Sequence, residues 1–308
     1  MNICDVIIIG AGPAGCTAAI YITRAGYKPM VFGGAAPGGQ LLLTNEIENF
    51  PGLPEPVAGY ELMDRMHRQI KRLGATLLTD DVASVSLCQK PFVVTSSSGE
   101  QYSCRAIIIA TGSKARWLGI PSEEKLRGHG VSACATCDGF FFKGKEVCVI
   151  GGGDTALTDA LFLTKFVSKV TVVHRRDQLR ASAVLVESAK MNSKIHFAWD
   201  SIVEEIEGSD SVTGLRLKNV KTGIVSTVPC SAVFVAIGHE SNTKMFDGKI
   251  DIDSHGYIIT DRAKTSVEGV FAAGDVMDPY YKQAITAAGS GAVAAIEAER
   301  FLHTFEKV

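Results

Sequence analysis

The sequence has no long hydrophobic run and no excess of one charge. No apolar stretch approaches the roughly 18 residues that a membrane span requires, so no membrane partner is expected. Lys and Arg number 31 against 33 Asp and Glu, a net charge of −2 at pH 7. That balance gives a nucleic-acid partner no electrostatic support. The opening MNICDVIIIG shows neither a basic leader nor a small-residue cleavage site. No signal peptide is expected, and the location is read as cytoplasmic. One CxxC stands without a second CxxC or a suitably spaced Cys/His pair. Zinc would need that second pair of ligands, so no metal is expected.

What is present is a chain of 308 residues, 46% hydrophobic and 21% charged. That length fits about two domains at roughly 100–200 residues each, and the composition is that of a folded globular protein. Glycine contributes 31 residues and cysteine eight. Glycine is thus about one residue in ten against a usual share of roughly 7%. Eight cysteines would suit a small secreted disulfide scaffold, but this chain is not small. Both excesses therefore need local explanations.

The first glycine cluster is Gly10-Ala11-Gly12-Pro13-Ala14-Gly15, between the apolar run Val6-Ile7-Ile8-Ile9 and an alanine-rich stretch that ends near Gly26. Strand, GxGxxG, then helix is the context of a dinucleotide-binding turn. Gly10 makes the tight turn, Gly12 lets the backbone approach a pyrophosphate, and Gly15 lets helix pack on strand. The anion sits on the helix N-terminus. After the next strand, Pro29-Met30-Val31-Phe32, come Gly33 and Gly34 rather than an acid. An NAD site would place a carboxylate there for the ribose, so this site suits a different dinucleotide.

A second cluster, Gly151-Gly152-Gly153-Asp154-Thr155-Ala156, follows Glu146-Val147-Cys148-Val149-Ile150 and leads into helical spacing over 157–166. Read from Gly151 it is GxGxxA. Two such turns imply two dinucleotides, or one and an accidental turn. The next strand, Val170-Thr171-Val172-Val173, ends in His174-Arg175-Arg176, with Arg180 one turn on. Cations at this offset accept the 2′-phosphate of NADP, Arg with two parallel hydrogen bonds. Two shorter runs, ending at Gly112 and at Gly274-Asp275, read as buried strands closed by tight turns. Asp275 suits both a helix cap and a ligand contact.

Six cysteines, Cys4, Cys16, Cys88, Cys104, Cys148 and Cys230, are dispersed, mostly in apolar stretches, and are assigned no function. The other two form Cys134-Ala135-Thr136-Cys137, followed by Asp138. Two intervening residues let one turn bring the sulfurs together, and a helix start lowers a thiol pKa. A dithiol just before an NADP-type turn has its electron source in the same chain. Asp138 suits proton transfer to the thiolates, or a cap.

At these positions the chain resembles the low-molecular-weight thioredoxin reductases. The matching segments are GAGPAG at 10–15, GGQL at 38–41, IENFPG at 47–52, ATG at 110–112, CATCDG at 134–139, GGGDTA at 151–156, HRRDQLRAS at 174–182, AIGH at 236–239, FAAGDV at 271–276 and KQAITAAGSG at 282–291. The resemblance implies an α/β fold of two Rossmann-like dinucleotide-binding domains. The FAD domain is discontinuous, 1–113 and 246–308. The NADPH domain, 114–245, is inserted into it and carries the CxxC. Linkers near 113–117 and 238–246 act as a hinge between half-reactions. The implied route is NADPH to FAD, to the Cys134–Cys137 disulfide, to thioredoxin or a thioredoxin-like protein. Cys137 is the sulfur nearer the flavin, and Cys134 attacks the partner. The implied FAD contacts are Gly12, Pro13, Ala14, Gln40, Asn49, Val82, Asp275, Lys282, Gln283 and Ala284, beside Gly10 and Gly15 of the turn. Lys282 replaces the usual Arg, which keeps the charge and loses the planar fork. The implied NADPH contacts are Gly151, Gly153, Asp154, Thr155, Arg175, Arg176 and Arg180. A noncovalent flavin and a homodimer complete the expectation. The alternatives are a flavin-dependent dithiol oxidase and a reductase of another small disulfide protein.

Overall fold

The structure is a computed structural model and describes residues 2–44 and 46–305. The chain divides into two compact units, Met1–Lys114 with Glu240–Val308, and Ala115–His239. The return to the first unit thus lies before the expected 246. The reason is local. Ser241 donates to the Val276 carbonyl at 3.1 Å, Thr243 donates to the Gly256 carbonyl at 2.9 Å, and Phe246 is wholly buried in that unit's core.

In the first unit the β-branched run of Asn2–Ile9 forms the central strand. It lies parallel to Pro29–Phe32 on one side and to Gln101–Ile109 on the other. Thr76–Leu78 extends the first side, and Val270–Ala272 pairs parallel with Gln101–Ile109. Phe92–Ser96 and Val82–Ser86 add an antiparallel extension. Val6 and Ile8 enter one core with Ile22, Met63 and Leu302. Ile7 and Ile9 enter the other with Phe92, Phe246 and Val270. Burial on both faces explains why Val6-Ile7-Ile8-Ile9 is an unbroken apolar run rather than an alternating one.

The helix Pro13–Arg24 follows the first strand, with Pro at its first position and a bare Gly12 cap. Proline there forfeits only an N–H that has no helical partner. The last helix, Ala284–Phe305, comes from the far end of the chain and packs on it. The two approach so closely that a Cβ on Gly291 would lie 2.1 Å from the Ala14 carbonyl oxygen.

The second unit holds a five-stranded parallel sheet in the order Ile195–Ala198, Lys169–Val173, Glu146–Ile150, Ala232–Val235, Val131–Ser132. One face is covered by the helices Asp154–Leu163 and Ala183–Met191. The other packs against the antiparallel sheet Ser201–Glu207, Gly214–Asn219, Val225–Pro229. The helix over 157–166 ends early, at Leu163. There the Thr164 hydroxyl donates to the Leu161 carbonyl at 2.7 Å, and Phe166 turns back to pack edge-on against Phe162 and Phe140. In each unit the fingerprint strand lies inside its sheet, with the next strand on one side and a later strand on the other. Its C-terminal end is therefore a topological switch point, where open α/β sheets bind ligands.

Gly291→Ala is expected to lower stability by about 1–3 kcal/mol, the usual cost of overfilling a tight contact. Urea denaturation reads it, and an unchanged midpoint would contradict the close helix approach.

Candidate functional site

Three clusters gather most of the residues singled out by the sequence. The first surrounds the turn at Gly10. That residue adopts φ +115°, and a Cβ there would meet the Ala110 carbonyl oxygen at 2.1 Å. A Cβ on Gly15 would meet the Gly10 oxygen at 1.9 Å, whereas one on Gly12 would find nothing nearer than 3.8 Å. Gly10 is thus the tight turn, Gly15 the helix–strand contact, and Gly12 the open position before a helix start with no side-chain cap. A cavity of about 250 Å³ opens there. Gly10, Gly12, Pro13, Ala14, Gln40, Asp275, Lys282, Gln283 and Ala284 line it. Asn49 is exposed, outside the cavity lining, and donates to Gln283 Oε1 at 3.3 Å. Val82 lies off the cavity, at the start of Val82–Ser86, half-buried against the second core.

The second cluster surrounds Gly151, with φ +150°. A Cβ there would meet the Ala236 carbonyl oxygen at 2.4 Å and the Ala156 side chain at 2.7 Å. Gly152 lies flat on the buried His174 ring, whose Nε2–H donates to the Gln178 carbonyl at 3.0 Å. Burial, then the neighbouring arginines, hold that imidazole's pKa below its ordinary value. A Cβ on Gly153 would meet nothing, and Gly153 opens the helix Asp154–Leu163 without a side-chain cap. The segment that carries the arginines is tied to this turn. The Arg180 N–H donates to the Gly152 carbonyl at 2.7 Å, and the Ser182 N–H donates to Asp154 Oδ1 at 2.9 Å. Asp154 therefore holds the basic segment in place, and Thr155 is exposed beside it. Arg175, Arg176 and Arg180 line a cavity of about 350 Å³ with Asp177, Asp200 and Lys221.

The third cluster is the dithiol. Cys134 and Cys137 form a disulfide, with Cα atoms 5.3 Å apart. Cys134 caps the short helix Ala135–Asp138, and its Sγ accepts the Cys137 N–H at 3.2 Å. The Ser132 hydroxyl accepts the Cys134 N–H at 3.0 Å. Burial raises the pKa of Asp138, and the Ser132 hydroxyl pulls it back. A half-buried acid with a raised pKa thus adjoins Cys137. Among the described residues no group of three His, Cys, Asp or Glu is placed to hold a metal ion.

The sequence profile of the pyridine nucleotide-disulphide oxidoreductase family matches residues 4–291. The thioredoxin reductase of Rickettsia conorii is 53% identical over 303 residues, which cover 97% of this chain and 98% of that protein. The thioredoxin reductase of Streptomyces coelicolor is 52% identical over 301 residues, 97% of this chain and 94% of that one. The solved thioredoxin reductase of Giardia duodenalis superposes with a TM-score of 0.95 at 42% identity, covering 98% of this chain and 100% of that one. The chain belongs to the thioredoxin reductase family.

A thioredoxin reductase is an NADPH-dependent flavoprotein disulfide oxidoreductase, with FAD and NADPH as cofactors. The alternative of a dithiol oxidase falls with these comparisons. The residues present fit both groups. In the first cavity the Gly12 position leaves room where a pyrophosphate would lie, at a helix start with no side-chain cap. In the second, three arginines line a cavity, and the Arg180 N–H bond to the Gly152 carbonyl ties their loop to the turn before a bare helix start.

Several residues of these clusters carry no sequence signal. Asn242 donates to the Thr111 carbonyl at 2.8 Å, and the Thr111 hydroxyl donates back to the Asn242 carbonyl at 2.9 Å. This reciprocal pair shapes the first cavity. Ser113, Ser132, Asp200 and Lys221 are likewise isolated polar residues that the fold brings to a site. Thr111 itself lies in the ATG match at 110–112 and Ser113 follows it, which is the available hint.

Asp275 shows what the first cavity does to charge. Burial pushes its carboxyl up to about 6, Asp278 adds to this, and the Lys282 ammonium and the Ser113 hydroxyl oppose it. The unfolded value is near 3.8. A raised folded pKa means that ionisation opposes folding. The contribution to stability is full below the unfolded value and is lost as pH rises through 6. Flavin-free Asp275→Asn escapes that loss. Its melting temperature relative to the parent should therefore rise between pH 4 and pH 7.5. A difference that stays flat across this range would refute the assignment.

Proposed function

We propose that this protein reduces the disulfide of thioredoxin, with Cys134 and Cys137 as the working dithiol. The unit Met1–Lys114 with Glu240–Val308 serves as the FAD domain, and the inserted unit Ala115–His239 as the NADPH domain. One observation carries this reading: the Cys134–Cys137 disulfide and the basic dinucleotide pocket belong to the same unit.

The chemistry supplied by bound FAD and NADPH is transfer of one electron pair to the Cys134–Cys137 disulfide. Reduction leaves two sulfurs that need protons. Asp138 holds a proton above the ordinary carboxyl range and stands next in sequence to Cys137, so it acts as the local acid and base. Cys134 Sγ then attacks the partner's disulfide and forms a mixed disulfide. Cys137 attacks Cys134 Sγ, which restores the internal disulfide and releases the partner with both electrons. A dithiol and a nicotinamide on one unit must use one flavin in turn. Turnover therefore requires the inserted unit to rotate about its two linkers.

Gly10, Gly12, Pro13, Ala14 and Gln40 hold the FAD pyrophosphate region in this reading, with Asp275 and Lys282–Ala284 along the rest of the cavity. Arg175, Arg176 and Arg180 receive the 2′-phosphate of NADPH. A homodimer is supported by the last helix, which leaves Ile285, Val293 and Ile296 exposed on one stripe. A reducing, cytoplasmic setting suits the six free cysteines. No helix among the described residues is long and apolar enough to cross a membrane.

Purified protein with FAD, NADPH and thioredoxin should oxidise NADPH, followed by its absorbance. Cys137→Ser should abolish thioredoxin-dependent turnover, and parent rates no higher than this variant's would sink the proposal. Replacing Arg175 and Arg176 by Ala should raise the KM for NADPH by about tenfold or more, since charge-assisted hydrogen bonds contribute roughly 1.5–3 kcal/mol each. The KM for NADH should move little. Equal effects on both cofactors would refute the 2′-phosphate role.

A further inference from the structure

The pocket that holds the three arginines also holds two carboxylates. Asp177 lies in the same loop, between Arg176 and Arg180, and Asp200 lines the cavity beside them. Each would repel an incoming phosphate dianion. Yet among the described residues no ion pair joins either carboxylate to Arg175, Arg176 or Arg180. Both carboxylates are engaged instead by Lys221, whose Nζ lies 2.7 Å from Asp177 Oδ2 and 3.1 Å from Asp200 Oδ2.

Lys221 comes from a different part of the unit, the turn between Gly214–Asn219 and Val225–Pro229. That turn is built to hold it. Asn219 Oδ1 accepts the N–H groups of Lys221 and Thr222, each at 3.0 Å, and the Gly223 N–H donates to the Asn219 carbonyl at 2.8 Å. The Val220 N–H donates to the Asp200 carbonyl at 2.6 Å, and the Asp200 N–H to the Arg176 carbonyl at 3.3 Å. Asp200 itself adopts φ +49°, a conformation uncommon outside glycine but tolerated best by Asn and Asp. Backbone bonds thus run from the lysine turn through Asp200 to the arginine loop.

Charge makes the consequence plain. Four cations face two carboxylates in this pocket, an excess of two positive charges that matches a phosphomonoester dianion. Without Lys221 the excess falls to one, and two uncompensated carboxylates border the phosphate. We propose that Lys221 is a specificity-determining residue for the 2′-phosphorylated dinucleotide, acting by neutralising Asp177 and Asp200 so that the three arginines are left for the phosphate. This rests on reading the pocket as the 2′-phosphate site. Lys221 is a positioning and shielding residue in this role, not a catalytic one. The hydrogen bonds to the two carboxylates also hold its pKa above the ordinary lysine value, so it stays charged.

The test is calorimetric binding of adenosine 2′,5′-bisphosphate and of 5′-AMP to the full chain. Lys221→Met should weaken the bisphosphate about five- to tenfold at low salt, with the loss shrinking as salt screens it. The shift for 5′-AMP should be far smaller. Lys221→Arg should keep the affinity, and adding Asp177→Asn to Lys221→Met should restore most of it. Equal weakening of both ligands would assign Lys221 a merely structural role and overturn the proposal. Failure of Asp177→Asn to restore binding would make Lys221 a direct phosphate ligand and overturn the shielding mechanism. Arg175→Ala/Arg176→Ala serves as the reference. Were that variant to weaken both ligands alike, the pocket reading itself would be lost, an outcome separate from the first two.

Discussion

The structure depends on backbone packed against backbone at the ends of two strands. Gly10 meets the Ala110 carbonyl and Gly151 meets the Ala236 carbonyl at distances that no Cβ could occupy. Each contact brings the chain off its central strand and straight into a helix whose first N–H groups have no side-chain cap. Uncapped donors and the helix dipole then face the switch point of the sheet, which favours an anion there. The small third position serves the same end in both units, as Gly15 in one and Ala156 in the other. A methyl group at Ala156 is accepted because Gly151 removes the atom it would strike.

From this shared scaffold the two sites diverge through charge. The first sits among half-buried groups of mixed sign, where burial raises the Asp275 carboxyl and Lys282 opposes that shift. Such a site suits a dinucleotide bound mainly through backbone and hydroxyl contacts. The second is exposed and strongly cationic, with its positive charge concentrated by a lysine that engages the local acids. The missing carboxylate after Phe32 and the surplus of arginines after Val173 are the sequence traces of that divergence.

What the sequence made legible is local in the chain. Strand, glycine turn and helix are neighbours, so both fingerprints could be read directly. The same holds for Cys134, Cys137 and Asp138, and for the arginines of 174–180. Asn242 and Thr111 are joined across 131 positions, and Lys221 reaches Asp177 across 44. No periodicity marks such pairs, because the fold and not the neighbouring residues brings them together. The role of Asp154 was half legible. Its place in the fingerprint was clear, but its bond to the Ser182 N–H depends on where a loop 28 positions later comes to rest. The early end of the helix at Leu163 escaped for a related reason, since the aromatic packing of Phe166 overrode the apolar spacing.

The close fit of Gly291 against Ala14 has a consequence for biosynthesis. The ribosome delivers the first fingerprint strand well before the helix Ala284–Phe305 that covers it. At roughly 5–20 residues per second, Val6 and Ile8 wait about a quarter of a minute to a minute for that cover. The inserted unit has cores of its own and is finished while the first unit still lacks its final helix. The nascent chain therefore carries a completed body on an incomplete one, with an apolar sheet face that chaperones have time to meet.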